Sequence, residues 1–276
     1  MQTKITQTVN YLKENLPFLP EFAIILGTGL NDIADQVQNP VSIPYENIPG
    51  FVKSTAPSHK GELIAGFLNS APVIILKGRF HFYEGYTMEQ VTYPVRVFKA
   101  IGVKYLFVTN ASGSLNPNFT PGSLVMLSDH INMMGTNPLI GKNWDEFGER
   151  FPSMNEPYSL ALQNNALNIA KNNNIKLNQG TYCAVSGPSL ETKAECKLFA
   201  SLGADLVGMS TVPEVIVAIH SGLTVLAISV VTNLSNIFHS NPHSQEEIRD
   251  NANLASKNLI LIIKETIKEL VEKENK

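Results

Sequence analysis

Short apolar runs alternate with helix-patterned stretches along this chain of 276 residues. Apolar residues that recur every three or four positions predict helices at 5–16, 30–37, 88–101, 158–172, 192–202 and 246–273. A further helix is predicted after 211, with Pro213 in its first turn, where proline is tolerated. The continuous apolar runs predict buried strands at 22–26, 62–68, 73–76, 104–109, 123–127, 180–185, 203–208 and 223–231.

This alternation predicts an α/β protein with one domain over residues 1–276. Its central sheet should be mixed and largely parallel, with helices on both faces. The strands at 62–68 and 73–76 are expected to pair across Asn69-Ser70. Two stretches lack a regular pattern and are predicted to be loops, 40–57 and 132–156. The second is long enough to be functional or to make subunit contacts.

Composition narrows the function classes. Charged residues make up only 16% of the chain, the net charge is −3 and no basic block occurs, so nucleic-acid binding is not expected. Cys183 and Cys196 form no CxxC motif, which argues against a zinc site or a disulfide framework and predicts buried thiols. The N-terminus has no signal-peptide core, and the apolar region 215–231 is interrupted by polar residues. We therefore expect a cytoplasmic protein without membrane contact.

The segment 77–85 concentrates polar chemistry directly after a predicted strand. An arginine fork and a histidine on one face suit an oxyanion such as phosphate. A polar strand end with a salt bridge is the alternative, and the segment alone does not separate the two. If the segment is extended, one face carries Arg79, His81 and Tyr83 and the other carries Phe80, Phe82 and Glu84.

Other strand ends carry polar groups as well. Gly27-Thr28-Gly29 follows the first predicted strand, as in phosphate-binding turns, but Asp32 replaces the third glycine of the dinucleotide fingerprint. An anion is therefore favoured over a dinucleotide. Ligands of such sheets bind beyond the carboxyl ends of the strands. Five polar residues are predicted to converge there: Thr28, Arg79, Asn110, Ser210 and Asn233.

Several motifs, in this order and spacing, resemble the trimeric purine nucleoside phosphorylases that act on 6-oxopurine nucleosides. The resemblance extends from about residue 5 to 270. The motifs are Gly27-Thr28-Gly29-Leu30, the segment 78–85, Thr109-Asn110-Ala111-Ser112-Gly113, Ser186-Gly187-Pro188-Ser189-Leu190-Glu191-Thr192, Gly208-Met209-Ser210-Thr211-Val212-Pro213-Glu214 and Thr232-Asn233.

The resemblance implies phosphorolysis of inosine, guanosine and their 2′-deoxy forms to a free base and (deoxy)ribose 1-phosphate. It implies a homotrimer, with phosphate as a substrate and with neither metal nor organic cofactor. The catalytic residues would be Asn233, Glu191 and His81. Phosphate would contact Thr28, His59, Arg79, His81, Ala111 and Ser210. Ribose would contact Tyr83, Met209 and Gln245, and the base would contact Ala111, Ser112, Leu190, Glu191 and Asn233. Phe151 would enter the neighbouring subunit's site.

Two positions depart from the family pattern. Leu190 replaces an aromatic residue beside the base, and Gln245 stands where a histidine commonly contacts the ribose 5′-hydroxyl. His243 or His239 could take that contact instead. A xanthosine-preferring phosphorylase of the same fold stays open as an alternative, as does a non-catalytic nucleoside or anion-binding protein. Asn233 argues against a methylthioadenosine phosphorylase, because that enzyme normally carries aspartate at this position.

Overall fold

All strands of the described chain join one nine-stranded sheet. The structure is a computed structural model that describes residues 2–56, 60–238 and 244–274, without the side chains of Gln2 and Gln245. The strands are β1 (Phe22–Ile25), β2 (Gln38–Pro44), β3 (Glu62–Leu68), β4 (Ala71–Lys77), β5 (Tyr105–Ser114), β6 (Leu124–Asn132), β7 (Leu177–Ala184), β8 (Leu206–Gly208) and β9 (Thr224–Leu234).

Six α-helices accompany the sheet in the described residues. Short 3₁₀ segments lie at Asn31–Gln36, Tyr45–Asn47 and Phe82–Glu84. The helices are α1 (Gln2–Asn15), α2 (Met88–Ile101), α3 (Leu160–Asn172), α4 (Lys193–Ser201), α5 (Val212–His220) and α6 (Gln245–Glu274).

The sheet is mixed, as predicted. Strand β1 pairs in parallel with β4 and β5, and β3 forms an antiparallel hairpin with β4 across residues 69–70. Beyond β5 the pairings close on themselves, because β5 pairs with β9, β9 with β6, β6 with β7, β7 with β8, and β8 with β5. The carboxyl ends of β1, β4, β5 and β9 meet beside this ring.

Helices cover both faces because each strand presents alternate apolar residues to opposite sides. In β1, Ala23 and Ile25 pack into the core below α1, α2 and α5, whereas Phe22 and Ile24 pack into the core below α3 and α6. A smaller cluster under α4 contains the two free, buried thiols, Cys183 and Cys196, as predicted. No helix in the described ranges is long and apolar enough to cross a membrane.

Three sequence predictions were wrong in extent or type. The stretch predicted as a loop from residue 40 contains β2, an edge strand that pairs with β3; its largely exposed residues and two prolines hide it, but an edge strand tolerates both. The helix predicted at 30–37 is only a short 3₁₀ segment, because β2 begins at Gln38. The strand predicted to end at Thr109 instead continues as β5 to Ser114, paired with β9 and β8.

Candidate active site

A cavity of about 200 Å³ opens beyond the carboxyl ends of β1, β4, β5, β8 and β9. All five polar residues predicted to converge at strand ends line it. The wall comprises Gly27, Thr28, Arg79, His81, Tyr83, residues 110–113, Leu190, Glu191, residues 207–210, Thr232, Asn233 and Ile248.

Arg79 is the buried cation of this cavity. It follows β4 directly, and only 2% of it is exposed. Its Nη1 donates to Ser210 Oγ at 2.7 Å, and its Nε lies 3.4 Å from a carboxylate oxygen of Glu214 in α5. Burying a charge is costly unless it is paired, so Glu214 accounts for an arginine held inside the fold. The guanidinium is thereby fixed in one orientation before any ligand binds.

His81 is held by Glu84. One carboxylate oxygen of Glu84 accepts the His81 backbone N–H at 2.8 Å and lies 2.9 Å from Nδ1, and the other accepts the backbone N–H and hydroxyl of Thr55, both at 2.6 Å. The imidazole also stacks on Tyr83, with ring centroids 4.6 Å apart. Glu84 therefore engages Nδ1, so a contact between the imidazole and a ligand in the cavity would have to come from Nε2.

The same contacts determine the protonation states of His81 and Glu84. Burial lowers the pKa of His81, and nearby Arg79 lowers it further, against the opposing effect of Glu84. Burial would raise the pKa of the Glu84 carboxyl, but hydrogen bonds from His81 and Thr55 outweigh it and lower that pKa from 4.5 to about 2. At neutral pH the pair is a carboxylate with a neutral imidazole.

This arrangement corrects one sequence expectation. A fully extended segment would place Glu84 on the face opposite His81. The chain instead leaves the extended conformation at Phe82 and makes a 3₁₀ turn, which brings Glu84 back to His81. Arg79, His81 and Tyr83 still reach one cavity, and Phe80 packs in the core.

Thr211 has a strained backbone beside the cavity. Its φ of 72° and ψ of −55°, with the Val212 N–H donating to the Ser210 carbonyl at 2.8 Å, define a γ-turn of the positive-φ type. A β-branched residue rarely adopts this conformation, which costs on the order of 1–3 kcal/mol. The hydroxyl of Thr211 accepts hydrogen bonds from Asn110 Nδ2 at 2.9 Å and from Arg79 Nη1 at 3.3 Å.

Two glycines allow neighbouring strands to approach each other closely at the cavity. A Cβ on Gly27 would lie 2.6 Å from the backbone of Asn110, so only glycine lets the end of β1 approach β5 this closely. A Cβ on Gly208 would lie 2.3 Å from the hydroxyl of Tyr182. That hydroxyl accepts the Ser210 backbone N–H at 3.4 Å and so ties the end of β8 to β7.

One extra residue in β9 brings Asn233 to the cavity. Ser112 is opposite Val231 and Gly113 is opposite Asn233, so Thr232 is an additional residue in this pairing. Regular alternation would send neighbouring side chains to opposite faces, yet Thr232 and Asn233 both line the cavity. The bulge therefore redirects Asn233, as bulges do next to binding sites.

Asn233 has a defined amide orientation. Its Oδ1 accepts from the Thr232 hydroxyl at 3.0 Å, and its Nδ2 donates to the Leu234 carbonyl at 3.2 Å. Since an amide nitrogen carries two hydrogens, Nδ2 keeps a second donor for a ligand. Asn233 is thus oriented to donate.

Glu191 and Leu190 form the opposite end of the cavity, on the segment between β7 and α4. The Glu191 carbonyl accepts from Asn236 Nδ2 at 2.6 Å. Burial raises the pKa of the Glu191 carboxyl, and Glu195 raises it further. Leu190 is 53% exposed, so it covers this end only loosely.

Met209 depends on a third glycine. Gly187 has a φ of +63°, and a Cβ there would lie 2.4 Å from Met209 Sδ. Glycine therefore permits both the turn after β7 and the contact with a side chain predicted to line ribose.

Some predicted site residues lie elsewhere. Phe151 is 86% exposed and borders a different cavity, together with His130 and Arg150. His59, His239 and His243 are outside the described residues. Gln245 begins α6, but its side chain is also outside the description. Their predicted roles remain predictions.

Sequence reasoning missed the residues that hold the site together: Glu84 as an anchor, Glu214 as the counter-charge, Thr211 as the strained turn and Thr55 as a clamp. Glu214 and Thr211 belong to a motif that had been recognised, and a carboxylate four residues after a predicted phosphate-binding serine was the available signal. Thr55 carried no such signal. Among the described residues, no group of His, Cys, Asp or Glu is placed to hold a metal ion.

Comparison with known proteins agrees with this geometry. The family model of the phosphorylase superfamily matches residues 21–268. Purine nucleoside phosphorylase 1 of Bacillus subtilis (strain 168) is 50% identical over 250 residues, which cover 91% of this chain and 92% of the relative.

Two solved structures of Schistosoma mansoni purine nucleoside phosphorylase also resemble the chain. The complex with adenosine has a TM-score of 0.92 at 37% identity and 97% coverage of both chains. The complex with inosine has a TM-score of 0.91 at 36% identity and 96% coverage of both chains.

The α/β sheet, with its polar cavity at the strand ends, is that of a glycosyl-transferring phosphorylase, and the chain belongs to the phosphorylase superfamily. Within the superfamily it belongs to the purine nucleoside phosphorylases.

Proposed function

We propose that the chain, as one domain over residues 1–276, catalyses reversible phosphorolysis of inosine, guanosine and their 2′-deoxy forms. The observation that carries this proposal is the placement of two unlike ends in one cavity. Arg79, His81 and Ser210 form an anion-binding end, while Glu191 and Asn233 form an end suited to a 6-oxopurine. Ribose would lie between them, against Tyr83 and Met209.

The reaction breaks the bond between C1′ and N9 and forms a bond between C1′ and a phosphate oxygen. The electron pair of the broken bond leaves with the purine, and the sugar passes through an oxocarbenium-like transition state. A phosphate held by Arg79, Ser210, Thr28 and the Ala111 amide stabilises that positive charge and then attacks C1′. Fixed positioning of this kind supplies much of the rate enhancement.

Asn233 stabilises the leaving group. The purine gains negative charge as the bond breaks, and the second hydrogen of Asn233 Nδ2 would donate to N7. Its Oδ1 is already held by Thr232, so the amide needs no rotation during the reaction. A donor organised before the charge develops is worth more than one that must turn.

Glu191 reads the base. As a carboxylate it accepts the N1–H of a 6-oxopurine, whereas a 6-amino purine has no N1–H to offer. An unmatched buried acceptor costs roughly 1–3 kcal/mol, and more when it is charged, so adenosine should be a poor substrate. Because burial raises the pKa of Glu191, activity should begin to fall at a pH above 4.5 as the solution is acidified.

His81 is neutral, with its one ring hydrogen on Nδ1 toward Glu84. Its Nε2 therefore carries no hydrogen and would accept the P–O–H hydrogen of hydrogen phosphate. Thr28 adds a hydroxyl at the end of β1. His59 and Gln245 keep their predicted contacts with phosphate and ribose in this proposal. Inorganic phosphate is a substrate, no cofactor takes part, and we expect a cytoplasmic enzyme.

A homotrimer would complete the site. Phe151 is the most exposed large apolar residue in the described ranges, and it is absent from its own chain's catalytic cavity. An exposed aromatic side chain on a long excursion suits insertion into a neighbouring subunit. In the trimer it would cover the ribose that Tyr83 and Met209 leave open.

The test is ultraviolet-monitored cleavage of inosine with and without phosphate, with adenosine and xanthosine in parallel. We expect phosphate-dependent release of hypoxanthine, and adenosine turnover lower by about tenfold or more. The known adenosine complex of the Schistosoma mansoni protein makes turnover the required readout, since binding alone does not decide. Cleavage without phosphate would make the protein a hydrolase, and faster cleavage of xanthosine would favour the alternative specificity.

Glu191→Gln is the matched control because it keeps size while removing the charge. It should lower kcat/KM for inosine by about 10-fold to 100-fold and leave the KM for phosphate unchanged. An equal loss for inosine and phosphate would contradict the base-reading role.

A further inference from the structure

An unbroken series of side-chain hydrogen bonds joins the two ends of the catalytic cavity. We call it the hydroxyl–amide chain. Ser112 lies at its base end and Ser210 at its phosphate end, and the residues between them are buried. Its members in order are Ser112, Ser229, Asn110, Thr211 and Ser210.

The distances at Asn110 fix its amide orientation. Ser229 Oγ lies 2.5 Å from Oδ1, within the range for O–H···O but shorter than the usual N–H···O range of about 2.7–3.2 Å. Nδ2 lies 2.9 Å from Thr211 Oγ1, a typical N–H···O distance. Ser229 therefore donates to Asn110, and Asn110 donates to Thr211.

Counting donors and acceptors then decides the phosphate end. A hydroxyl has one hydrogen and two acceptor lone pairs. Thr211 Oγ1 accepts from Asn110 and Arg79, so its own hydrogen goes to Ser210 Oγ, 3.3 Å away. Ser210 Oγ then accepts from Arg79 and from Thr211. Its one hydrogen is left to point into the cavity, where an anion needs a donor.

The same count gives the base end the opposite character. The single hydrogen of Ser229 goes to Asn110, so Ser112 must donate to Ser229 across their 2.6 Å contact. Ser112 Oγ is thereby left as an acceptor on the cavity side. The hydroxyl–amide chain thus runs in one direction, from an acceptor at the base end to a donor at the phosphate end.

Thr211 shows that this arrangement overrides local preference. It stands at the N-cap of α5, where a threonine hydroxyl ordinarily accepts from the first helical amides, yet it makes no such hydrogen bond. Its hydroxyl instead faces Asn110, Arg79 and Ser210. The positive-φ γ-turn provides that direction.

We propose that the hydroxyl–amide chain fixes Ser210 as a hydrogen-bond donor to phosphate and that Thr211 is the positioning residue through which it acts. The inference rests on the proposed function only in taking the Arg79 and Ser210 end as the phosphate subsite. Thr211 does not touch phosphate; without its hydroxyl, a lone pair of Ser210 is freed and the Ser210 hydroxyl can turn away from the cavity.

The experiment compares Thr211→Val with Thr211→Ser. Valine keeps the β-branched shape and the same backbone constraint but has no hydroxyl, whereas serine keeps the hydroxyl. We expect Thr211→Val to raise the KM for phosphate by about tenfold or more, with the KM for inosine changed by less than about twofold. Thr211→Ser should stay within about threefold of the parent. Thr266→Val is the matched control, because Thr266 is a buried threonine whose hydroxyl has no hydrogen-bond partner in the described structure.

A double-mutant cycle separates positioning from general destabilisation. If Thr211 acts through Ser210, Thr211→Val should add little to the phosphate KM of Ser210→Ala. Multiplication of the two effects would overturn the proposal, as would a lower melting temperature without a selective rise in phosphate KM, or equal defects in the valine and serine variants.

A second variant tests the proposal without changing residue 211, in case substitutions there disturb folding. Ser229→Ala breaks the hydroxyl–amide chain at a residue that does not line the cavity, and it should raise the phosphate KM by about 2-fold to 5-fold. An unchanged phosphate KM would count against the chain.

Calorimetric titration with inorganic phosphate keeps this inference distinct from the proposed reaction. If the parent bound phosphate but cleaved no nucleoside, the reaction assignment would fail while weaker binding by Thr211→Val would still support the chain. If the parent cleaved inosine and both proteins bound phosphate equally, the chain alone would fail.

Discussion

The two ends of the cavity are built in different ways. At the proposed phosphate end, Arg79 and Thr211 are almost fully buried, and each forms hydrogen bonds with other side chains. At the base end, Leu190 is half exposed and Glu191 is only partly buried, on a segment outside regular secondary structure. The phosphate end is therefore held by buried contacts between side chains, whereas the base end combines strand residues, Ser112 and Asn233, with a more exposed connecting segment.

This difference matches the demands of the two tasks. Stabilising charge requires donors that are already oriented, because reorientation during the reaction would cost much of the benefit. Recognising a base requires shape and one or two matched polar groups, which a loop can supply. Stability should therefore be coupled to activity at the phosphate end and largely separate from it on the connecting segment that carries Leu190 and Glu191.

The largest expected effect comes from Arg79→Gln. It should lower the free energy of unfolding by about 3–5 kcal/mol, because Glu214 is left as a buried charge without its counter-ion. Loss of the cation should also lower kcat/KM for phosphate by at least about 100-fold. Urea unfolding and steady-state kinetics measure the two effects.

The matched variant for this prediction is Arg79→Gln combined with Glu214→Gln. Removing both charges should restore most of the stability but none of the activity. If the single variant were as stable as the parent, the phosphate end would not be the tightly coupled region that the geometry indicates.

An intermediate effect is expected for Glu84→Gln. The amide cannot hold His81 and Thr55 as the carboxylate does, so kcat/KM should fall by about tenfold. Because the native pKa of Glu84 is lowered to about 2, its stabilising contribution is present above the ordinary pKa of 4.5 and is lost as the pH falls from 4.5 toward 2.

Unfolding measured at several pH values tests this sign. The parent should lose stability over that acidic range with a slope that exceeds that of Glu84→Gln by up to about one proton. Parallel curves for the two proteins would mean that Glu84 is not the acid-sensitive anchor of His81.

The smallest expected effect is a lower KM for inosine. Leu190→Phe should place an aromatic face against the purine, worth about 0.5–1.5 kcal/mol, and so lower the KM for inosine by roughly 2-fold to 10-fold. Unfolding free energy should change little, because residue 190 is largely exposed. A destabilised Leu190→Phe would show that the base end is as tightly packed as the phosphate end.

Much of the fold followed from the sequence because strongly apolar strands and periodic helices leave clear patterns. The helix at 88–101 and the hairpin of β3 and β4 are examples. Strand β2 was missed because an edge strand can be polar and contain prolines. The extension of β5 beyond Thr109 was missed because residues 110–114 are mostly small and polar, and only pairing with β8 and β9 makes them a strand.

The cavity itself was predicted better than its support. Side chains at strand ends converge by geometry, so Thr28, Arg79, Asn110, Ser210 and Asn233 could be grouped from sequence alone. The support depends on contacts between distant segments, such as Arg79 with Glu214 or Glu84 with Thr55. The spacing of Ser210 and Glu214 was a signal for the first pair, and no local pattern encodes the second.

The extra residue in β9 has a consequence for how this protein can vary. A substitution at Thr232 changes one side chain, but a deletion of that residue would remove the bulge and leave Asn233 opposite Gly113 in regular pairing with β5. The shortened strand would also lose the Thr232 hydroxyl that holds Asn233 Oδ1 and so orients the proposed donor to the purine. The length of β9 at this point is therefore a functional trait in its own right. Relatives that keep the chemistry should keep the number of residues in β9 even where the amino acids differ.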